Sequence, residues 1–210
     1  MAQQKKYEFV PGDEKVVAPG RTVKRIRALI AIAALGVAPG ELGGYIESEG
    51  NLQQVSGNAW VYGDAWVYGN AQVYGNARVY GDAQVSGDAQ VYGNAWVSGN
   101  ALVYGDALVY GDAQVYGNAQ VYGNAQVYGD ARVESQTDWL LVGPAKSSGR
   151  FTTAYRDTKI GVRVSCGCFT GTAQGFSAQI EATHAGNQQH LQQYRLFCQL
   201  IAFSFDIQPA

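Results

Sequence analysis

The chain has 210 residues, with 15 basic and 17 acidic side chains and a formal charge of −2, a field of the wrong sign to draw in nucleic acid or hold an anionic membrane. That length, above one average domain and below two, fits one extended body with small flanking modules. The three cysteines, Cys166, Cys168 and Cys198, all fall in the last quarter; an odd count argues against a disulfide framework, so a reducing, cytoplasmic setting is expected.

Residues 1–54 read as a β-rich cap. MAQQKKYEFV has no apolar stretch after its lysines, and the apolar run from Ala28 to Ala38 is too short to span a membrane, so that run is expected to be buried structure. Strands are predicted near Tyr7–Val10 and Arg21–Ile32, with Pro11-Gly12 and Pro19-Gly20 as turn signals. Leu42-Gly43-Gly44-Tyr45-Ile46 then leads toward the repeats, and the whole segment is expected to cover an otherwise open sheet edge.

Residues 55–134 form a second unit. From Val55 the chain reads VSGNAW, VYGDAW, VYGNAQ and onward in thirteen six-residue steps to VYGDAR, Val127 to Arg132. A fixed period marks a solenoid, whose units bury their apolar side only by stacking. Val at position one suits an inward-facing extended site, and Ala at position five fits where little volume remains. Gly followed by Asn or Asp forms the corner, because both tolerate left-handed backbone. Positions two and six point outward.

This pattern resembles the hexapeptide repeat of left-handed parallel β-helices. The resemblance implies a mainly β fold, a triangular coil of three hexapeptides rising about 4.8 Å, and a homotrimer. The layout as a whole resembles hexapeptide-repeat proteins of phages and prophages, with GRTVKRIRAL and LGGYIES before the VYGNA repeats and GCFTGT and EATH after them. That second resemblance brings no catalytic residue and no cofactor.

Rotating the units over three faces places Trp60, Arg78, Trp96, Gln114 and Arg132 in one column, read beside Tyr74, Tyr92, Tyr110 and Tyr128. These aromatics and arginines are the candidate ligand-binding surface, against the plainer reading of a stacked ladder. Trp96, Leu102 and Leu108 give one coil an apolar belt. Each corner column also holds an aspartate pair, Asp64 with Asp82, Asp88 with Asp106, and Asp112 with Asp130. A cation could bridge such a pair, although carboxylates diverging into water is the simpler account.

Residues 135–210 read as a C-terminal α+β module. Strands are predicted at Trp139–Val142, Phe151–Tyr155 and Ile160–Val164. Two helices follow, one on Ala173, Phe176 and Ile180 and one on Leu191, Tyr194, Cys198 and Ile201, broken at Gly186-Asn187. Arg150, Arg156, Lys159 and Arg163 make its hairpin basic, so Arg156 and Arg163 are candidates for a small anion. Cys166, Cys168, His184 and His190 are metal-capable, but the CxC and HxxxxxH spacing matches no common zinc pattern, and a packed cysteine with surface histidines is the plainer reading.

Hexapeptide β-helices are best known as acyltransferases that use a catalytic His, and the repeats contain none; the two histidines are His184 and His190. The expected function is therefore a non-catalytic, homo-oligomeric scaffold that displays its terminal modules to a partner. Three alternatives stand beside it. The first is an anti-defence protein, which blocks a host defence protein or sequesters an anionic nucleotide signal in the host cytoplasm. The others are a virion fibre component and an acyltransferase. No membrane association is expected.

Overall fold

The computed structural model describes residues 4–208. Among them, two long strands come first, β1 (Tyr7–Ala18) and β2 (Arg21–Ala28), followed by β3 (Leu42–Ile46). Thirteen two-residue strands, β4 to β16, then run from Trp60–Val61 to Arg132–Val133 at six-residue intervals. The chain ends in β17 (Trp139–Val142), β18 (Thr152–Asp157), β19 (Gly161–Cys166), β20 (Phe169–Thr172), α1 (Ala173–His184) and α2 (Gln188–Ser204).

Parallel pairing fixes the architecture. Trp60 lies opposite Arg78, Arg78 opposite Trp96, Trp96 opposite Gln114, and Gln114 opposite Arg132, always 18 residues on. Three hexapeptides therefore make one coil, and the strands divide into three solenoid faces. The backbone N–H groups of positions six and two donate to carbonyls of the next coil, as from Trp96 to Ala113 at 2.8 Å and from Ser98 to Val115 at 2.9 Å. Every valine from Val61 to Val133 and every alanine from Ala59 to Ala131 in the repeat is buried. The inward positions are as the sequence reads, with one correction: Val55 is 47 % exposed and lies before the first repeat strand. The coil above is completed instead by β3, whose Tyr45 and Ile46 pair with Trp66 and Val67, and by Leu52, which bridges Val73.

Glycine at position three is required twice over. Gly93 has φ 71°, and a Cβ there would sit 2.9 Å from the backbone nitrogen of Gly111 one coil below. Only glycine meets both demands.

The first cap differs from expectation in detail. β1 runs on through Pro11-Gly12, which form a bulge rather than a turn, the register shifting between Phe9 and Glu14. β2 stops at Ala28, and of the following apolar run only Ala28, Ile32 and Val37 are buried. β2 pairs with β3, so the hairpin extends one solenoid face past its first coil. Tyr7 is fully buried over the coil end, with its Oη donating to Leu52 O at 2.8 Å. Lys6 Nζ donates to Ala59 O at 2.9 Å, and burial lowers its pKa to about 8.

At the other end, the last coil lacks a following strand. Side chains of β18 take its place. Thr153 Oγ1 accepts from Gln126 N at 3.1 Å and Tyr155 Oη from Tyr128 N at 3.3 Å. Tyr155 and Trp139 close the solenoid core. The module beyond is an antiparallel meander, β17-β18-β19-β20, whose last strand was not anticipated from the sequence. The helix pair packs with it around Val162, Val164, Phe176, Ile180, Phe197 and Ile201. Asn187 caps α2 by accepting from His190 N at 3.1 Å, which is the break expected at Gly186-Asn187.

Candidate functional site

The C-terminal module holds a cavity of about 450 Å³ where four segments converge. Ser147, Ser148 and Arg150 come from the loop between β17 and β18. Cys166, Cys168 and Phe169 come from the tip of the β19–β20 hairpin, and Phe176, Ile180 and His184 from α1. His190 and Tyr194 of α2 complete it. Phe169, Phe176 and Ile180 form an apolar wall, and the remaining groups are polar.

The geometry on the polar side is specific. The His184 ring stacks on Tyr194 with centroids 4.9 Å apart, and His190 stands edge-on to His184 at 5.9 Å. Tyr194 Oη lies 3.3 Å from Ser148 Oγ and 3.5 Å from Ser147 Oγ. Arg150 crosses Gly167, where a Cβ would fall 2.5 Å from Nη1. Gly167 also has φ 60°, so the tight turn both needs glycine and leaves room for the guanidinium.

Cys166, Cys168, His184 and His190 thus line one cavity, although Cys168 sits in the turn and not on a strand beside Cys166. They do not make a metal centre: among the described residues, no three His, Cys, Asp or Glu side chains are close enough together to hold an ion. Cys198 lies outside this lining, and burial pushes its thiol up to about 11.

The basic hairpin is largely neutralised. Arg163 Nε lies 2.6 Å from the buried Asp157 carboxylate, Lys159 Nζ 2.9 Å from Asp130, and Arg156 Nε 3.6 Å from Asp138. Arg156 also lies over the Phe205 ring at 5.5 Å. Arg156 and Arg163 are therefore structural ion pairs, whereas Arg150 has no acidic partner among the described residues and faces the cavity. The sequence reading placed it in the basic hairpin without singling it out. It missed Ser147, Ser148 and Tyr194 because a turn and a core-facing helix position account for them without any site.

On the solenoid, the expected surface separates into two. Trp60 is fully buried beneath Tyr7, whose ring is 6.2 Å away, and beside Gly43, so it is core and not a ligand contact. Arg78 lies over Trp96 at 4.9 Å, and Tyr80 meets Trp96 edge-on at 6.4 Å. Arg132 is exposed at the end of that column. The stack of Tyr74, Tyr92, Tyr110 and Tyr128, with centroids 4.6–4.8 Å apart, belongs to the neighbouring face. There Tyr74 Oη donates to Gln90 at 2.9 Å. A position-two side chain leans back over the strand it follows, not toward the next.

The corner columns are amide ladders. Asn58 donates to Asn76, Asn76 to Asn94, and Asn94 to Asp112, at 2.9, 3.1 and 3.0 Å. Two of the aspartate pairs receive a lysine from a terminal module, Lys15 on Asp64 at 2.7 Å and Lys159 on Asp130 at 2.9 Å.

The repeat family described as YdcK Beta solenoid repeat matches residues 54–69, 71–87, 89–104, 96–111 and 101–117. The chain is a repeat β-solenoid protein. The matches stay within the solenoid and reach neither terminal module. No curated protein matches the chain. Among the described residues, no helix is long and apolar enough to cross a membrane.

Proposed function

We propose that this solenoid protein is a non-catalytic, homo-oligomeric binding scaffold, in which the coils are a rigid spacer and the C-terminal cavity receives an anionic group of its partner. The observation that carries this reading is Arg150, the guanidinium left without a carboxylate at the mouth of a cavity with one apolar wall and one polar wall. An arginine fork recognises carboxylate or phosphate, and the adjacent Phe169 and Phe176 favour a ligand with an apolar body. The non-catalytic reading is supported by the repeats, which carry no histidine to act as the base that the hexapeptide acyltransferases use.

Self-association is supported by α2. Leu196, Leu200 and Phe203 recur at helical spacing and are 53, 42 and 84 % exposed. A second copy presenting the same stripe is its occupant, and three subunits is the number the hexapeptide resemblance implies. The phage-like layout of cap, repeats and tail supports a viral setting for the partner.

Native mass spectrometry of gently purified protein tests both halves. A homo-oligomer retaining a small anion, released in Arg150→Ala, is the expected result. A monomer with no retained mass and no gain on addition of small carboxylates or phosphates overturns the reading.

A further inference from the structure

In the twelve repeat units from Val61 onward, position two is tyrosine except at Ser86 and Ser98. Each removes one rung from a column of rings. At Ser98 the rung is replaced: Trp96 of the same face packs edge-on to Tyr80 at 6.4 Å, and Ser98 is only 8 % exposed. At Ser86 the preceding outward residue is Gln84, which brings no ring. Tyr68 stands one coil above the gap and Tyr104 one coil below, the latter already stacked on Tyr122 at 5.3 Å. Two sheet spacings, about 9.6 Å, separate the residues flanking the gap. A cavity of about 270 Å³ opens on the Tyr68 side of the gap, at the corner lined by Tyr68, Ser86, Asn70, Asp88 and Arg21, with Tyr104 outside its lining.

We propose that this gap is a binding slot for the ring of a cationic aromatic amine, which enters the column as the missing rung. The intact tyrosine stack holds rings 4.6–4.8 Å apart, so the vacant step has the thickness of one ring plus its contacts on either side. The sign of the ligand's charge follows from the same corner. Asp88 stacks directly over Asp106, with Asp88 N donating to Gly105 O at 2.9 Å. Unlike the pairs that receive Lys15 and Lys159, this one has no basic partner among the described residues; Asp88 Oδ1 accepts only the neutral Asn70 amide at 2.9 Å, which leaves the carboxylate charge uncompensated. The cation on the rim, Arg21, is held by Glu47 at 2.8 Å, so the two cancel. An ammonium on a short arm then meets Asp88 while its ring lies against Tyr68. The slot is remote from the C-terminal cavity in sequence and chemistry, and stands whether or not that cavity binds an anion.

The test titrates the full chain with tyramine, and with 3-(4-hydroxyphenyl)propionate as an anion bearing the same ring, followed by saturation-transfer NMR. Saturable tyramine binding with little response to the anion is expected. Ser86→Tyr, which installs the column's own residue, should weaken tyramine binding about tenfold or more with a melting temperature equal to or above that of the parent. Asp88→Asn should weaken it and erase the preference for the cation. Absence of saturable binding overturns the proposal, as does equal response to both compounds or undiminished binding in Ser86→Tyr. A lower melting temperature in Ser86→Tyr would mean that no ring fits the step, and sinks the slot itself.

Discussion

Tyr155 Oη accepts a hydrogen bond from the backbone N–H of Tyr128 at 3.3 Å, standing in for the carbonyl that a further coil would have supplied. Tyr155→Phe keeps the buried ring and removes the acceptor, leaving a part-buried donor unsatisfied. The expected cost is about 1–3 kcal/mol. Amide hydrogen exchange should accelerate first at Tyr128 and its neighbours in the last coil. Uniform acceleration along the whole solenoid would contradict a terminal capping role.

Gly93 tests the corner. Gly93→Ala must accept positive φ and a Cβ against Gly111 N, for which backbone has to move. A loss of about 2–4 kcal/mol is expected, larger than for Gly149→Ala, where φ is also positive but the added carbon meets nothing. Equal losses in urea melts would remove the stacking argument.

Val97→Asp places a carboxylate in the middle of the buried valine column. Because each coil is stable only through its neighbours, the expected result is loss of the folded solenoid rather than a local defect. Circular dichroism showing native β signal at ambient temperature would refute it.

Alkaline pH should separate the ladder from ordinary tyrosines. Burial holds Tyr74, Tyr92 and Tyr155 above the usual phenol range and pushes Tyr110 up to about 12. These groups keep their protons in the folded chain after the unfolded chain has lost them. Their contribution is thus fully present below pH 10 and is lost as pH rises from about 10 toward 12. Lys6 acts oppositely over a lower window: its folded pKa of about 8 lies below the ordinary lysine value of 10.5, so stability gains between those values as pH rises. Absorbance at 295 nm should show the ladder ionising late and together with unfolding, and Lys6→Met should remove the gain below pH 10.

Phe203→Asp addresses association. The side chain is 84 % exposed and makes no part of the module's buried core, so the fold should tolerate a charge there. Light scattering is expected to show a smaller particle with an unchanged melting transition of the monomer. An unchanged particle mass would detach α2 from oligomerisation.

The repeat was legible because each position answers to one constraint repeated many times: inward Val, cramped Ala, positive-φ Gly and a corner amide. Its ends were not, because they depend on contacts distant in sequence. Nothing in the local sequence says that Trp60, at an outward position, disappears under Tyr7, or that Val55 is displaced from the core by Leu52. The same limit applies to the site. Cys166, Cys168, His184 and His190 could be named from chemistry alone, and all four line one cavity. Arg150 could not be distinguished from Arg156 and Arg163, because that depends on which carboxylate each arginine reaches across the fold. The ring gap at Ser86 was visible as a letter, but its meaning required knowing that the other gap is filled.

The 18-residue register has a consequence for how such a chain can change length. Adding or removing three hexapeptides moves everything downstream by one sheet spacing, about 4.8 Å, and leaves its facing unaltered. Adding one hexapeptide instead swings the C-terminal module by a third of a revolution about the long axis. Reach and bearing are thus separate settings on one rod, each altered by copying a short stretch of sequence without redesigning either end.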